Sequence, residues 1–304
     1  MTPTPTPKKA PSNLRLRVIY GVLGAALLLG CVWSGPLSFG LFFGAVQAVM
    51  LWEFYRMMRA GGYAPATWVG VGAGILLFVA TSEGYLVSPF FSDTEDGVHS
   101  QSFNALIVCA IACVTLLPLL LMLREMKYWP RHKQPFANAA TTVFGMLYIA
   151  FPITMLHVIA FTYNKAGAEY TYDYRRIFAL LFLIWASDIG AYAAGKTFGK
   201  HKMAPRISPG KTWEGWAGGF VLTLAVGWAV GFMLPGLPLA HRLVAAGVVA
   251  VFAPLGDLAE SMLKRSVGVK DSGRILPGHG GLLDRFDAFL LVLPVLALLQ
   301  LVWG

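Results

Sequence analysis

Charge is scarce in this chain and cysteine nearly absent. Only 13% of the 304 residues are Asp, Glu, Lys or Arg, against about 25% in an ordinary soluble domain. That excludes a conventional soluble globule. The three cysteines, Cys31, Cys109 and Cys113, lie in apolar segments with no CxxC or Cys/His spacing. A disulfide framework and a zinc site are excluded with them, and they read as small buried hydrophobes. No convincing internal repeat is present, so an inverted-repeat transporter lacks support.

What is present is apolar and arrives in blocks. Hydrophobic residues make up 57% of the chain, and the mean hydropathy is +0.63. Blocks near 20 residues match the thickness of a bilayer core. About nine spans are expected, near 18–33, 37–54, 68–87, 105–123, 142–161, 177–195, 216–234, 243–261 and 288–303. The fold class is therefore all-α, a polytopic transmembrane helical protein. Residues 1–13 are rich in Pro and Thr and read as a disordered cytoplasmic tail. Residues 14–170 form an N-terminal membrane region of about five spans. Residues 171–304 form a second region of about four spans, with cytoplasmic loops at 195–214 and 264–285.

The net charge of +9 would suit nucleic acid. Nucleic-acid binding is rejected, because the cations sit in short loops between apolar spans. With the N-terminus in the cytoplasm, only Lys165, Arg175, Arg176 and Arg242 fall on the far side. The positive-inside rule predicts such an asymmetry. The acidic segment 92–99 then lies outside. Glu53 and His157 are isolated polar residues in apolar surroundings and read as interhelical hydrogen-bonding groups.

The chemistry concentrates after residue 180. Asp257, Ser261 and Lys264 recur at i, i+4 and i+7, which places them on one helical face. A carboxylate within a membrane span is costly and functional by default. Alone it could equally be a salt bridge to Lys264 or Arg265. The following loop decides otherwise. It carries Lys270, Asp271, Gly273, Arg274, Pro277, Gly278, His279, Gly280 and Gly281, and then Asp284, Arg285 and Asp287 open the last span. Glycines let a backbone approach a ligand closely. Helix capping explains one acid at a helix start, but not two beside an arginine and a glycine-rich loop. Three carboxylates, Asp257, Asp284 and Asp287, suit a hard cation such as Mg2+, which prefers oxygen. The cations Lys264, Arg265, Lys270, Arg274 and Arg285 suit a phosphate-rich ligand. Together they point to metal-assisted phosphoryl-type transfer.

A second loop contributes. Asp188 lies on the cytoplasmic half of the sixth span, followed by Lys196 and by Ser208-Pro209-Gly210-Lys211-Thr212. The last four residues look like the end of a phosphate-binding P-loop, but the first glycine and the preceding strand are missing, so a Walker A site is rejected. A nucleotide contact from Ser208, Lys211 and Thr212 and a solvated basic loop both remain open.

The run from Ser261 to Asp287, with Lys264, Arg265, Lys270, Asp271, Gly273, Pro277, His279, Gly280, Gly281, Asp284 and Arg285 in order, resembles the signature of the phosphatidate cytidylyltransferase family. Asp188 and the 208–215 loop resemble it as well. The likeness is specific from about residue 177 to 287. The N-terminal half matches only as generic apolar spans. The resemblance implies the reaction of CTP with phosphatidate to give CDP-diacylglycerol and pyrophosphate, the committed step of phospholipid synthesis. It implies a metal site at Asp257, Asp284 and Asp287 with Ser261 nearby, Mg2+ with K+ in some members, and a need for Lys264. It implies a homodimer in a bacterial inner membrane, with its site open to cytoplasm and lipid. Catalytic candidates are thus Asp257, Ser261, Lys264, Arg265, Asp284, Arg285 and Asp287. Substrate contacts are Asp188, Lys196, Ser208, Lys211, Thr212, Lys270, Asp271, His279, Gly280 and Gly281. His279 reads more as a loop-shaping group than as a proton donor. A CDP-alcohol phosphotransferase would need a four-aspartate motif that is missing, and a lipid kinase would not use the 270–287 loop. A cation-coupled transporter could use the same acids, but it would need no basic glycine-rich loop beside them.

Overall fold

The computed structural model describes residues 14–86, 112, 115–164, 169–273, 275 and 280–303. Cys109, Cys113, the 1–13 tail, the 92–99 segment, Arg274 and His279 lie outside them. Nine helical segments occur among the described residues. They are α1 Leu14–Ser34, α2 Pro36–Ala60, α3 Thr67–Leu86, α4 over 115–128, α5 Pro135–Ala160, α6 Tyr174–Phe198, α7 Trp213–Phe232, α8 Leu239–Ser266 and α9 Leu283–Trp303. Each overlaps one expected span. Six of them, α2 and α5 to α9, are long and apolar enough to cross a membrane, and α1 and α3 hold shorter apolar stretches. The chain is an all-α multi-pass membrane protein.

The purely helical expectation misses two small hairpins. β1 (Phe161–Asn164) pairs antiparallel with β2 (Glu169–Tyr172), and β3 (Lys202–Ala204) with β4 (Ser208–Thr212). Both lie in connections between helices, where antiparallel pairing satisfies backbone groups that no helix supplies.

Local chemistry sets the helix starts. Pro36 and Pro135 open α2 and α5, positions where the missing N–H costs nothing. Asp173 caps α6 by accepting from Arg175 N, and Thr212 caps α7 by accepting from Gly215 N. Inside α5, Pro152 cannot donate to the preceding turn. The helix answers with a π-helical turn at Met146–Ala150 just before it.

α2 is the central post. Its Phe39, Phe43, Met50 and Phe54 are fully buried, and Phe43 meets Phe286 of α9 edge-on at 6.1 Å. α6 and α7 form an antiparallel pair packed backbone to backbone. A Cβ at Gly190 would stand 2.8 Å from Gly218 O, the small-residue contact that lets membrane helices approach. Large apolar side chains point outward, Phe232 at 80% exposure among them. Such a surface is stable in lipid and not in water.

Candidate active site

α8 and α9 run antiparallel and touch at Gly256, where a Cβ would lie 2.6 Å from Asp287 O. That contact carries the acids of one helix to those of the other. Asp257, Glu260 and Asp287 each offer an oxygen within 4.8 Å of the others. Three carboxylates with no nitrogen or sulfur donor among them fit a hard divalent cation.

Two lysines flank this cluster. Lys211 Nζ lies 2.6 Å from Asp257 Oδ2 and donates to Pro254 O at 3.0 Å. Pro254 also explains how α7 docks. Having no N–H, it leaves Ala250 O without its helical donor, and Trp216 Nε1 supplies one at 3.1 Å. So β4 and the start of α7 are fastened to the middle of α8, one turn from the acids. Ser261 Oγ donates to Asp257 Oδ1 at 3.2 Å. On the other flank Lys264 pairs with Glu260 and, at 2.7 Å, with Asp284 Oδ1.

Asp284 is already well supplied with donors. Besides Lys264 it accepts Gly281 N at 2.8 Å and Ser272 N at 3.1 Å. The geometry therefore gathers Glu260, not Asp284, with Asp257 and Asp287, and makes Asp284 the anchor of Ser272 and Gly281. Gly280 has φ +82°, and a Cβ there would sit 2.5 Å from Asp284 Oδ2. Only glycine fits that turn.

The loop is held from below by α2. Glu53, fully buried, accepts Leu283 N at 2.9 Å, and Ser272 Oγ approaches it at 3.5 Å. Arg56 Nη2 donates to Ser272 O at 3.3 Å. A Cβ at Gly273 would stand 2.0 Å from Glu53 Oε1. The N-terminal half thus supplies the floor of the site.

The remaining candidates are more peripheral. Asp188 is exposed and within electrostatic reach of Asp257 and Lys211. Arg265 is exposed and closes the end of α8 by donating to Val269 O at 3.2 Å. Lys196 lies over the Tyr192 ring. Thr212 is occupied as a helix cap and Ser208 begins β4. Lys270, Asp271 and Arg285 are exposed on the same end of the bundle. Sequence reasoning gave no role to Glu260, although it shares the face of Asp257 and Lys264. It read Glu53 only as a hydrogen-bonding group between helices.

The profile described as "Cytidylyltransferase family" matches residues 15–303. The chain belongs to this family. Within the cytidylyltransferase family it is 35% identical over 288 residues to the phosphatidate cytidylyltransferase of Bacillus subtilis, covering 93% of this chain and 96% of that protein. It is 33% identical over 297 residues to that of Haemophilus influenzae, with 92% and 96% covered. Against that of Staphylococcus saprophyticus identity rises to 42% over 171 residues, 54% of this chain and 65% of that protein.

Proposed function

We propose that the chain is a CTP:phosphatidate cytidylyltransferase working at the cytoplasmic face of a bacterial inner membrane. The observation that carries this is the acid cluster of Asp257, Glu260 and Asp287 flanked by Lys211 and Lys264. Family membership and relatives of that name over nearly the whole chain support it. An oxygen of the phosphatidate phosphate attacks the α-phosphorus of CTP. The bond from that phosphorus to the β,γ-diphosphate breaks, and CDP-diacylglycerol and pyrophosphate form. The nucleophile is already anionic near neutral pH, so no strong base is needed. Catalysis is alignment and offset of charge.

Each group has a part in this. Asp257, Glu260 and Asp287 would hold Mg2+, with Ser261 orienting Asp257. When bound, that ion neutralises phosphate charge between the two substrates. Lys211 exchanges Asp257 for a CTP phosphate oxygen. Lys264, fixed by Glu260 and Asp284, faces charge developing on the attacking or leaving oxygens. The backbone at Gly280 and Gly281 lies close to the nucleotide. The finer membrane reading is nine spans, the N-terminus in the cytoplasm and a homodimer. Cation asymmetry supports the sidedness, nine helical segments the count, and the family likeness the dimer.

The test is CDP-diacylglycerol formation by purified protein from labelled CTP, phosphatidate and Mg2+. Stoichiometric product and pyrophosphate are expected. Ion flux in liposomes without CTP turnover would sink the reading.

A further inference from the structure

The opposite end of the bundle carries a second concave site. A cavity of about 400 Å3 opens between the ends of α5, α7 and α9 and the first turns of α6 and α8. Its walls are mostly apolar, with Leu180, Leu183 and Leu296 among them, and two guanidinium groups line it, Arg176 and Arg242. Arg242 precedes Asp257 by fifteen residues on α8, about 22 Å along the axis at 1.5 Å per residue. The cavity therefore faces the leaflet away from the acid cluster.

Among the described residues neither guanidinium has all its donors paired. The Arg176 side chain is half-buried and makes no hydrogen bond or ion pair among the described residues. Asp173, the acid within its electrostatic reach, is already held by Arg175 at 2.8 and 2.9 Å. Arg242 donates from Nη1 to Trp228 O at 3.1 Å, but its Nε is buried without a partner among the described residues. Room for this guanidinium comes from Gly231, where a Cβ would sit 1.4 Å from Nη1. A half-buried guanidinium beside apolar walls is costly unless paired. A bound anion removes that penalty for both. At the mouth, Trp303 stacks on His241 at 4.3 Å and Tyr170 joins them in the lining. Aromatic residues of this kind settle at headgroup depth.

We propose that this cavity binds one anionic phospholipid of the leaflet opposite the acid cluster. Its phosphate lies between Arg176 and Arg242, and an acyl chain runs along Leu180, Leu183 and Leu296. A free phosphate would match the cations but leave the apolar walls uncovered. A zwitterionic lipid would match the walls but add a cation beside two others. This inference does not depend on the proposed reaction.

The experiment is native mass spectrometry of the purified full chain in neutral detergent, titrated with phosphatidylglycerol, phosphatidylcholine or inorganic phosphate. One phosphatidylglycerol should bind in clear preference to phosphatidylcholine. Arg176→Gln, which removes no side-chain hydrogen bond or ion pair among the described residues, should weaken it about tenfold, the scale of one charge-assisted hydrogen-bonded pair. Leu183→Trp should weaken it by filling the cavity with the charges intact, while Lys211→Ala should leave it unchanged. Equal binding of the two lipids would overturn the proposal. So would equal stabilisation by phosphate alone, unchanged binding in Arg176→Gln, loss of binding in Lys211→Ala, or a dimer that Arg176→Gln dissociates.

Discussion

The two lysine–carboxylate groups of the candidate site differ in kind. Lys211 and Asp257 join a hairpin to a helix in the open, with side chains 23% and 43% exposed. Lys264, Glu260 and Asp284 form a three-membered group that is nearly closed off, at 11%, 0% and 9% exposure. An exposed ion pair contributes little to stability, so Lys211 can leave Asp257 for a ligand at small cost. A buried group cannot open without stranding a charge. The first pair is suited to exchange with substrate, the second to holding helices and loop in register.

Four substitutions test that contrast, and all should cut turnover. Only Lys264 of the buried group and Glu53, which accepts from Leu283 N beside it, should also lower the melting temperature when replaced. Lys264→Met leaves Glu260 and Asp284 facing each other without a cation. It should abolish CDP-diacylglycerol formation and cost about 3–5 kcal/mol of stability, read as a lower melting temperature in detergent. Glu53→Ala deprives Leu283 N of its acceptor and the loop of its floor. A loss of about 1–3 kcal/mol is expected, with turnover falling alongside. Wild-type melting in Lys264→Met would show that the buried group does not organise the site, and wild-type melting in Glu53→Ala that α2 does not support it from below.

The exposed side should behave otherwise. Asp257→Asn should lower turnover about a hundredfold or more, the usual scale for an aligned electrostatic group, while the melting temperature stays within a degree or two of wild type. Lys211→Ala should have the smallest effect. It should raise the KM for CTP more than that for phosphatidate, with unchanged melting. A selective change in the lipid KM would reassign Lys211 to phosphatidate and blur the contrast between the pairs.

Part of this site is readable from local spacing. Asp257, Ser261 and Lys264 share a face by helical periodicity alone, and the 270–287 loop announces a phosphate ligand by its glycines and cations. Glu260 is on that face too, but its value depends on α9 crossing α8 at Gly256, which no spacing within α8 reveals. Asp284 and Asp287 look alike in the sequence, three residues apart at a helix start. One turns to the loop and Lys264, the other to Asp257 and Glu260. Glu53 reaches Leu283 across 230 positions, a distance at which sequence pattern carries no information about contact. The hairpin at 202–212 was hidden for a related reason. Short strands pair in register only once α6 and α7 set their ends together.

The amino-acid sequence by itself determined that the chain enters a membrane as helices and that charge, scarce elsewhere, concentrates in the 188–214 and 257–287 stretches. Those outcomes follow from hydropathy and charge, properties each segment carries alone. Only the tertiary structure decided which carboxylates meet, which lysine is sealed and which is free to exchange, and that two arginines share an apolar cavity at the far end. These depend on how helices remote in sequence pack against one another, and packing is a property of pairs of surfaces, not of any one segment.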